Sequence, residues 1–186
     1  MTIKSAEIEH AHDIWLLADT ALSSAWSENE LARDIVDSSN RAHLLIACRA
    51  DDTEITRIPS NTTMIGNANH TNDSDYAHTQ FQNCNEATIA GFIHWWEVAG
   101  EAEIHNVVVD ADFRGIGIGW QMLQTALDDI SARSDISSVF LEVRASNVNA
   151  IRLYESHGFV EIARRKRYYH NPNEDAIVMK MTLQKS

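Results

Sequence analysis

The chain has 186 residues, the length of one domain, with 44% hydrophobic and 23% charged side chains. It can bury a core without disulfides or a structural metal, and its seven glycines and two prolines exclude a collagen-like or wholly low-complexity chain. Fifteen Lys and Arg against 27 Asp and Glu give a formal charge of −12, which repels a phosphate backbone; direct nucleic-acid binding is not expected, and a basic substrate or protein partner fits better.

Cys48 and Cys84 are too few for a disulfide framework or a four-ligand zinc site, and His10-x-His12 has no third ligand nearby, so no metal is expected. The N-terminal residues lack the apolar stretch of a signal peptide, and no run approaches the ~18 apolar residues of a membrane span. No membrane association and a cytoplasmic location are expected.

In chain order, residues 3–8 alternate as a short strand and residues 9–20 read as a helix. Ser27 and Glu30 make a capping box that opens a second helix through Leu31 and Ile35. The apolar run 43–48 is a strand. From Asp51 to Glu86, Asn, Thr, Asp and Ser dominate and Arg57 is the one basic residue. Such a stretch has little to bury and reads as a polar, acidic insertion in the hairpin between the second and third strands. Two strands follow, 87–96 and 102–109, joined around Ala99-Gly100. Residues 117–134 form a helix, 137–143 a strand, and 147–157 a helix that Gly158 closes. A last strand pair, 159–169 and 176–183, turns at Asn171-Pro172-Asn173. The order β-α-α-β-β-β-α-β-α-β-β specifies an α/β domain with a mixed sheet, spanning 1–186 as one unit.

The chemistry concentrates in three segments. The first, Val107-Val108-Val109 through Arg114-Gly115-Ile116-Gly117-Ile118-Gly119-Trp120, runs strand, loop, glycines, helix. Glycines at a helix start allow close backbone approach, and unsatisfied N–H groups with the positive dipole end attract phosphate. The spacing fits neither a dinucleotide fingerprint nor a P-loop. A structural helix-entry turn fits it as well. The second, Phe140, Glu142 and Arg144, shares one face of a strand. A carboxylate there is costly unless paired or working, and an intrastrand Glu142–Arg144 pair competes with a catalytic role. The third places Tyr154 on an apolar stripe with Ala150, Leu153 and His157, which suits a core tyrosine with its hydroxyl at the rim.

Arg114-x-x-Gly117-x-Gly119, then Leu141-Glu142-Val143-Arg144-Ala145-Ser146-Asn147, then Leu153-Tyr154-Glu155-Ser156-x-Gly158-Phe159, resemble the GNAT acetyltransferases. Within them they are most similar to the RimI-type ribosomal-protein-alanine N-acetyltransferases. Arg165-x-x-Tyr168-Tyr169, the 174–179 segment and Ala25-Trp26-Ser27-Glu28 extend the likeness to nearly the whole chain apart from 51–86. The resemblance implies a mostly antiparallel sheet flanked by helices, with acetyl-CoA as co-substrate. Val107, Val108 and Val109 would present backbone groups to its pantetheine and thioester. Arg114, Gly115, Ile116, Gly117, Ile118, Gly119 and Trp120 would wrap its pyrophosphate, and Asn147 would contact its arm. Glu142 would be the general base for the acceptor amine and Tyr154 the general acid for the leaving thiolate. The acceptor it implies is the N-terminal alanine of a basic, small-subunit ribosomal protein.

The chain departs from the family in four places: Gly115-Ile116 where polar or basic residues are frequent, Trp120 where Arg or Lys is common, Ser23-Ser24-Ala25 where an apolar-Pro pair is usual, and the 51–86 insertion, which has no family counterpart. Glu103, on the strand leading to Val107, is the rival for the base. The run Arg164-Arg165-Lys166-Arg167 suits a solvated strand end, and Tyr168 and Tyr169 suit either an acceptor groove or strand packing. A small amine as acceptor, and a module that holds acetyl-CoA without turnover, are the competing functions.

Overall fold

The computed structural model describes residues 1–22, 27–36, 42–49 and 88–184. They form β1 (Thr2–Ser5), α1 (Ala11–Ala21), α2 (Glu28–Ile35), β2 (Ala42–Arg49), β3 (Thr88–Val98), β4 (Glu101–Val109), α3 (Ile118–Ser131), β5 (Ser138–Arg144), α4 (Val148–Ser156), β6 (Val160–His170) and β7 (Asn173–Thr182). The expected order of elements holds. The 51–86 insertion and the Ser23-Ser24-Ala25 and Trp26 positions lie outside the described residues.

Local chemistry sets the element ends. β1 stops at Ser5, short of the expected 8, because Glu7 starts a 3-10 turn over Ile8–His10. The Glu7 N–H donates to His10 Nδ1 at 2.9 Å, which draws the chain out of the sheet. At α2 the capping box forms as its spacing implies: the Glu30 N–H donates to Ser27 Oγ at 3.3 Å, and the Ser27 N–H to Glu30 Oε2 at 2.9 Å.

The strands make one sheet in the order β1-β2-β3-β4-β5-β7-β6. Among the described residues only β4 and β5 pair in parallel; their other neighbouring pairs are antiparallel. Ile14, Leu17, Ala18 and Leu31 of α1 and α2 bury one face against Leu44, Ile46, Phe92 and Val108. Met122, Leu123, Ala126 and Leu127 of α3, with Tyr154 of α4, bury the other against Leu45, Ile93, Ile104, Leu141 and Val143. Alternation along each strand sorts the residues to these two layers. At Gly91 a Cβ would stand 2.6 Å from the Val108 carbonyl oxygen and 3.0 Å from Met122 Cε, so only glycine lets α3 seat this closely on the sheet.

Two irregularities shape the centre of the sheet. Trp95 pairs with Ile104 and His94 with Asn106, which leaves His105 as a bulge in β4. Up to Ile104 the even-numbered residues face α3; past the bulge Val107 and Val109 take that face and Val108 the other. The β4–β5 pairing, moreover, covers only Glu101–Ile104 against Ser138–Leu141. Beyond it β4 continues along β3, whereas Glu142, Val143 and Arg144 pair with β7. The two strands part, and a wedge opens between Val107–Val109 and Glu142–Arg144. Ala47, Gly91 and Val109 stand level across the sheet, and Arg49 pairs with Thr88. The chain therefore leaves β2 for the 51–86 segment at the sheet end where β4 enters the glycine loop.

Candidate active site

The loop after β4 is fixed by its own polar groups. The Asp110 N–H donates to the Ala90 carbonyl at 2.9 Å, and Asp110 Oδ1 accepts from the Asp112 N–H at 2.8 Å. Arg114 Nε donates to the Val109 carbonyl at 3.0 Å, so this guanidinium braces the loop from its exposed position. Gly117 sits at φ +88°, and the first bond of α3 runs from the Gln121 N–H to its carbonyl at 3.0 Å. The N–H groups of Ile118, Gly119 and Trp120 precede that bond and have no carbonyl partner within the helix. With the helix dipole they make an anion cradle at the mouth of the wedge.

The left-handed φ at Gly117 gives a direct test. Valine there is strained although its Cβ would meet nothing within 4 Å. Gly117→Val is expected to lose most acetyl-CoA affinity, and Gly117→Asn, which tolerates positive φ better, to lose less. Equal affinity in the parent and Gly117→Val, measured by calorimetry, would place the phosphates elsewhere.

Glu142 lies between Leu141 and Val143, both in the core, and its own side chain emerges on the opposite face, 18% exposed. Arg165 Nη1 of β6 stands 2.9 Å from Glu142 Oε1. Interaction with the same carboxylate pushes the neighbouring Tyr168 phenol up. Arg144 reaches a different acid: its Nη1 is 3.4 Å from Glu174 Oε2, and its guanidinium lies over the Tyr169 ring at 4.0 Å. Glu174 also accepts from the Ser146 N–H, and Ser146 with Arg144 holds its carboxyl below the ordinary range. The two charges of β5 thus find cross-strand partners on β6 and β7. A cavity of about 420 Å³ lies over this face, with Trp96, Glu101, Glu103, Phe140, Glu142 and Arg165 in its lining. Glu103, the rival base, shares it with Glu142.

Asn147 is the N-cap of α4, its Oδ1 accepting from the Ala150 N–H at 3.2 Å. Tyr154, two turns further on, is 7% exposed and packs edge-on against Phe159 at 6.0 Å. Burial raises its phenol well above the usual range, and the neighbouring Tyr169 adds to the shift. Tyr154 belongs to the core on the α3 side of the sheet, whereas Glu142 faces the α1–α2 side. The wedge is where the sheet is open between these two faces.

Two parts of the site went unread in the sequence. Of the basic run, Arg164 pairs with Glu161 at 2.7 Å on the exposed edge strand, as a solvated strand end should, but Arg165 is the cation on Glu142. A slip in the β6–β7 register makes this possible: Arg165 pairs with Ala176 and Tyr169 with Glu174, so residues 166–168 oppose Asp175 alone. Arg167 sits at φ +54° there and its N–H donates to Asp175 Oδ1 at 2.8 Å. The second is His94, 2% exposed, on the α1–α2 face with Trp96. Trp96 Nε1 donates to His94 Nε2 at 2.9 Å, which requires a lone pair there and a neutral ring. Asp34 Oδ2 lies 3.6 Å from the same nitrogen, and the His105 ring 5.6 Å away. Burial, then the His105 and His43 charges, push His94 down to about 3.

A mixed sheet that parts beside the parallel pair β4–β5, with unpaired helix-start N–H groups at the mouth of the gap, suits a phosphate-bearing co-substrate. The sequence pattern of the Acetyltransferase (GNAT) family matches residues 30–159, and the chain belongs to that family as an acetyl-CoA-dependent N-acetyltransferase. It is 37% identical over 108 residues to the [ribosomal protein bS18]-alanine N-acetyltransferase of Escherichia coli K12, covering 57% of this chain and 72% of that protein. The crystal structure of the ribosomal-protein-S18-alanine N-acetyltransferase from Escherichia coli superposes with a TM-score of 0.70 at 27% identity, over 100% of this chain and 95% of that one. Arabidopsis thaliana NAA60 in complex with a bisubstrate analogue shares the fold, with a TM-score of 0.72 at 15% identity over 100% of both chains. None of the described helices is long and apolar enough to cross a membrane.

Proposed function

We propose that this enzyme transfers acetyl from acetyl-CoA to the N-terminal α-amine of a ribosomal protein whose first residue is alanine. The 37% identity to the bS18-alanine N-acetyltransferase supports the acceptor. The observation that carries the chemistry is the placement of Glu142 and Tyr154 on opposite faces of the sheet, on either side of the wedge. In this reading acetyl-CoA lies along Val107–Val109 with its pyrophosphate on residues 114–120, Asn147 flanks its arm, and the acceptor enters the cavity over Glu142. The whole chain acts as one GNAT domain, with 51–86 inserted between β2 and β3.

An α-ammonium has a pKa near 8, so losing its proton to a carboxylate or an intervening water is a modest cost at neutral pH. Glu142 takes that proton, the nitrogen attacks the thioester carbonyl carbon, and backbone N–H groups of β4 along the gap stabilise the oxyanion. The C–S bond then breaks, Tyr154 supplies a proton to sulfur, and the second proton that the nitrogen sheds on becoming an amide returns through water to the phenolate. Burial keeps the phenol protonated at every working pH. A thiolate leaving into the same apolar gap is also desolvated, which raises its proton affinity toward that of the phenol. Direct transfer needs no covalent enzyme intermediate, because amine and thioester are held together.

Hexapeptides differing in their first residue, assayed for CoA release beside free lysine and spermidine, test the acceptor. Alanine-first peptides are expected to turn over fastest, with added salt weakening capture of basic peptides more than it slows chemistry. Preference for a polyamine or a lysine side chain would overturn the reading.

A further inference from the structure

Trp120 stands in the first turn of α3, one residue past Gly119, and is 48% exposed. Its ring lies 5.1 Å from that of His157, tilted by 42°. His157 closes α4, and its Nδ1 is fixed by the Leu153 carbonyl at 2.9 Å and Ser156 Oγ at 3.2 Å. A carbonyl only accepts, so Nδ1 carries the proton and the neutral ring presents a lone pair at Nε2. That nitrogen is buried and has no hydrogen-bond partner among the described residues. An exposed indole braced by an imidazole offers a flat, rigid platform that suits a planar ring.

The neighbouring chemistry supplies such a group. The N–H groups of Ile118, Gly119 and Trp120 make the cradle for the pyrophosphate of acetyl-CoA. In that molecule only a ribose and one methylene separate the pyrophosphate from adenine, so the base falls beside the same helix turn. We propose that Trp120, backed by His157, forms a shelf on which the adenine ring stacks. Where a cation at position 120 would attract the phosphates by charge, an indole holds the base by stacking and desolvation. The inference rests on the acetyl-CoA reading of the 114–120 loop and adds a determinant of its grip.

Calorimetry with two ligands tests it: acetyl-CoA, and acetyl-phosphopantetheine, which lacks the adenosine. Trp120→Ala is expected to weaken acetyl-CoA on the order of 10-fold or more, as base–aromatic stacking does, and to leave acetyl-phosphopantetheine unchanged. Trp120→Phe should keep most of the affinity, and His157→Ala should show a smaller loss confined to acetyl-CoA. An equal loss for both ligands, or no loss for acetyl-CoA, would remove the shelf while leaving the cosubstrate assignment standing. Failure of the parent to bind acetyl-CoA at all would remove both.

Discussion

Glu142→Gln is expected to lower turnover by about 10²–10⁴-fold with acetyl-CoA affinity unchanged. Glutamine keeps the shape and can still accept from Arg165, the cation beside the carboxylate, so the variant should fold and bind. What it loses is a site for the acceptor's proton. Tyr154→Phe should also slow turnover, because sulfur then leaves without a donor. Glu103 lines the same cavity and is the necessary control. Full activity in Glu142→Gln with collapse in Glu103→Gln would move the base from β5 to β4.

Acid stability should depend strongly on His94. Its folded pKa is pushed down to about 3 by burial first and the nearby histidines second, against an unfolded value near 6.5. Between those values the unfolded chain takes up a proton that the native state refuses. Stability from this group is therefore complete above pH ~6.5 and drains as pH falls toward 3, by up to about 1.4 kcal/mol per pH unit. Urea midpoints of the parent should drop steeply from neutral pH to about pH 4.5, and His94→Gln, which still accepts from Trp96, should flatten that dependence. Parallel pH profiles for the two proteins would show that His94 exchanges protons with solvent in the folded state.

What the sequence discloses about this molecule follows from how local each signal is. The Ser27–Glu30 cap, the Gly117 helix entry, the alternation that separates Glu142 from Leu141 and Val143, and the turn at 171–173 are each written within a few residues, and each stands where the pattern puts it. The splay of β4 from β5 is not written that way. Three consecutive valines, 107–109, satisfy either face, so the pattern is silent on the bulge that decides which of them faces α3. The partner of Glu142 was equally hidden, since Arg165 reaches it only across β7 and beside a register slip in β6. Spacing offers Arg144 next door as a partner beside a catalytic role, and the fold supplies a distant arginine instead. His94 had a visible signal, a polar residue in the apolar run 89–96, but its burial depends on what α1 and α2 place over it.

The bulge at His105 sets how this chain can change length. Arg49 and Thr88 close the β2–β3 ladder whatever number of residues lies between them, so that junction absorbs additions without altering any side chain's orientation in the sheet. β4 carries a different kind of slack. Losing His105 would leave Ile104 opposite Trp95 and Asn106 opposite His94 in unbroken alternation, so Val107, Val108 and Val109 would keep their faces, and what would go is the local twist that a bulge gives its strand. Losing Val108 instead would turn Val109 to the other face. Length is thus absorbed at the β2–β3 junction without touching the sheet, and at the bulge by a change in the strand's course.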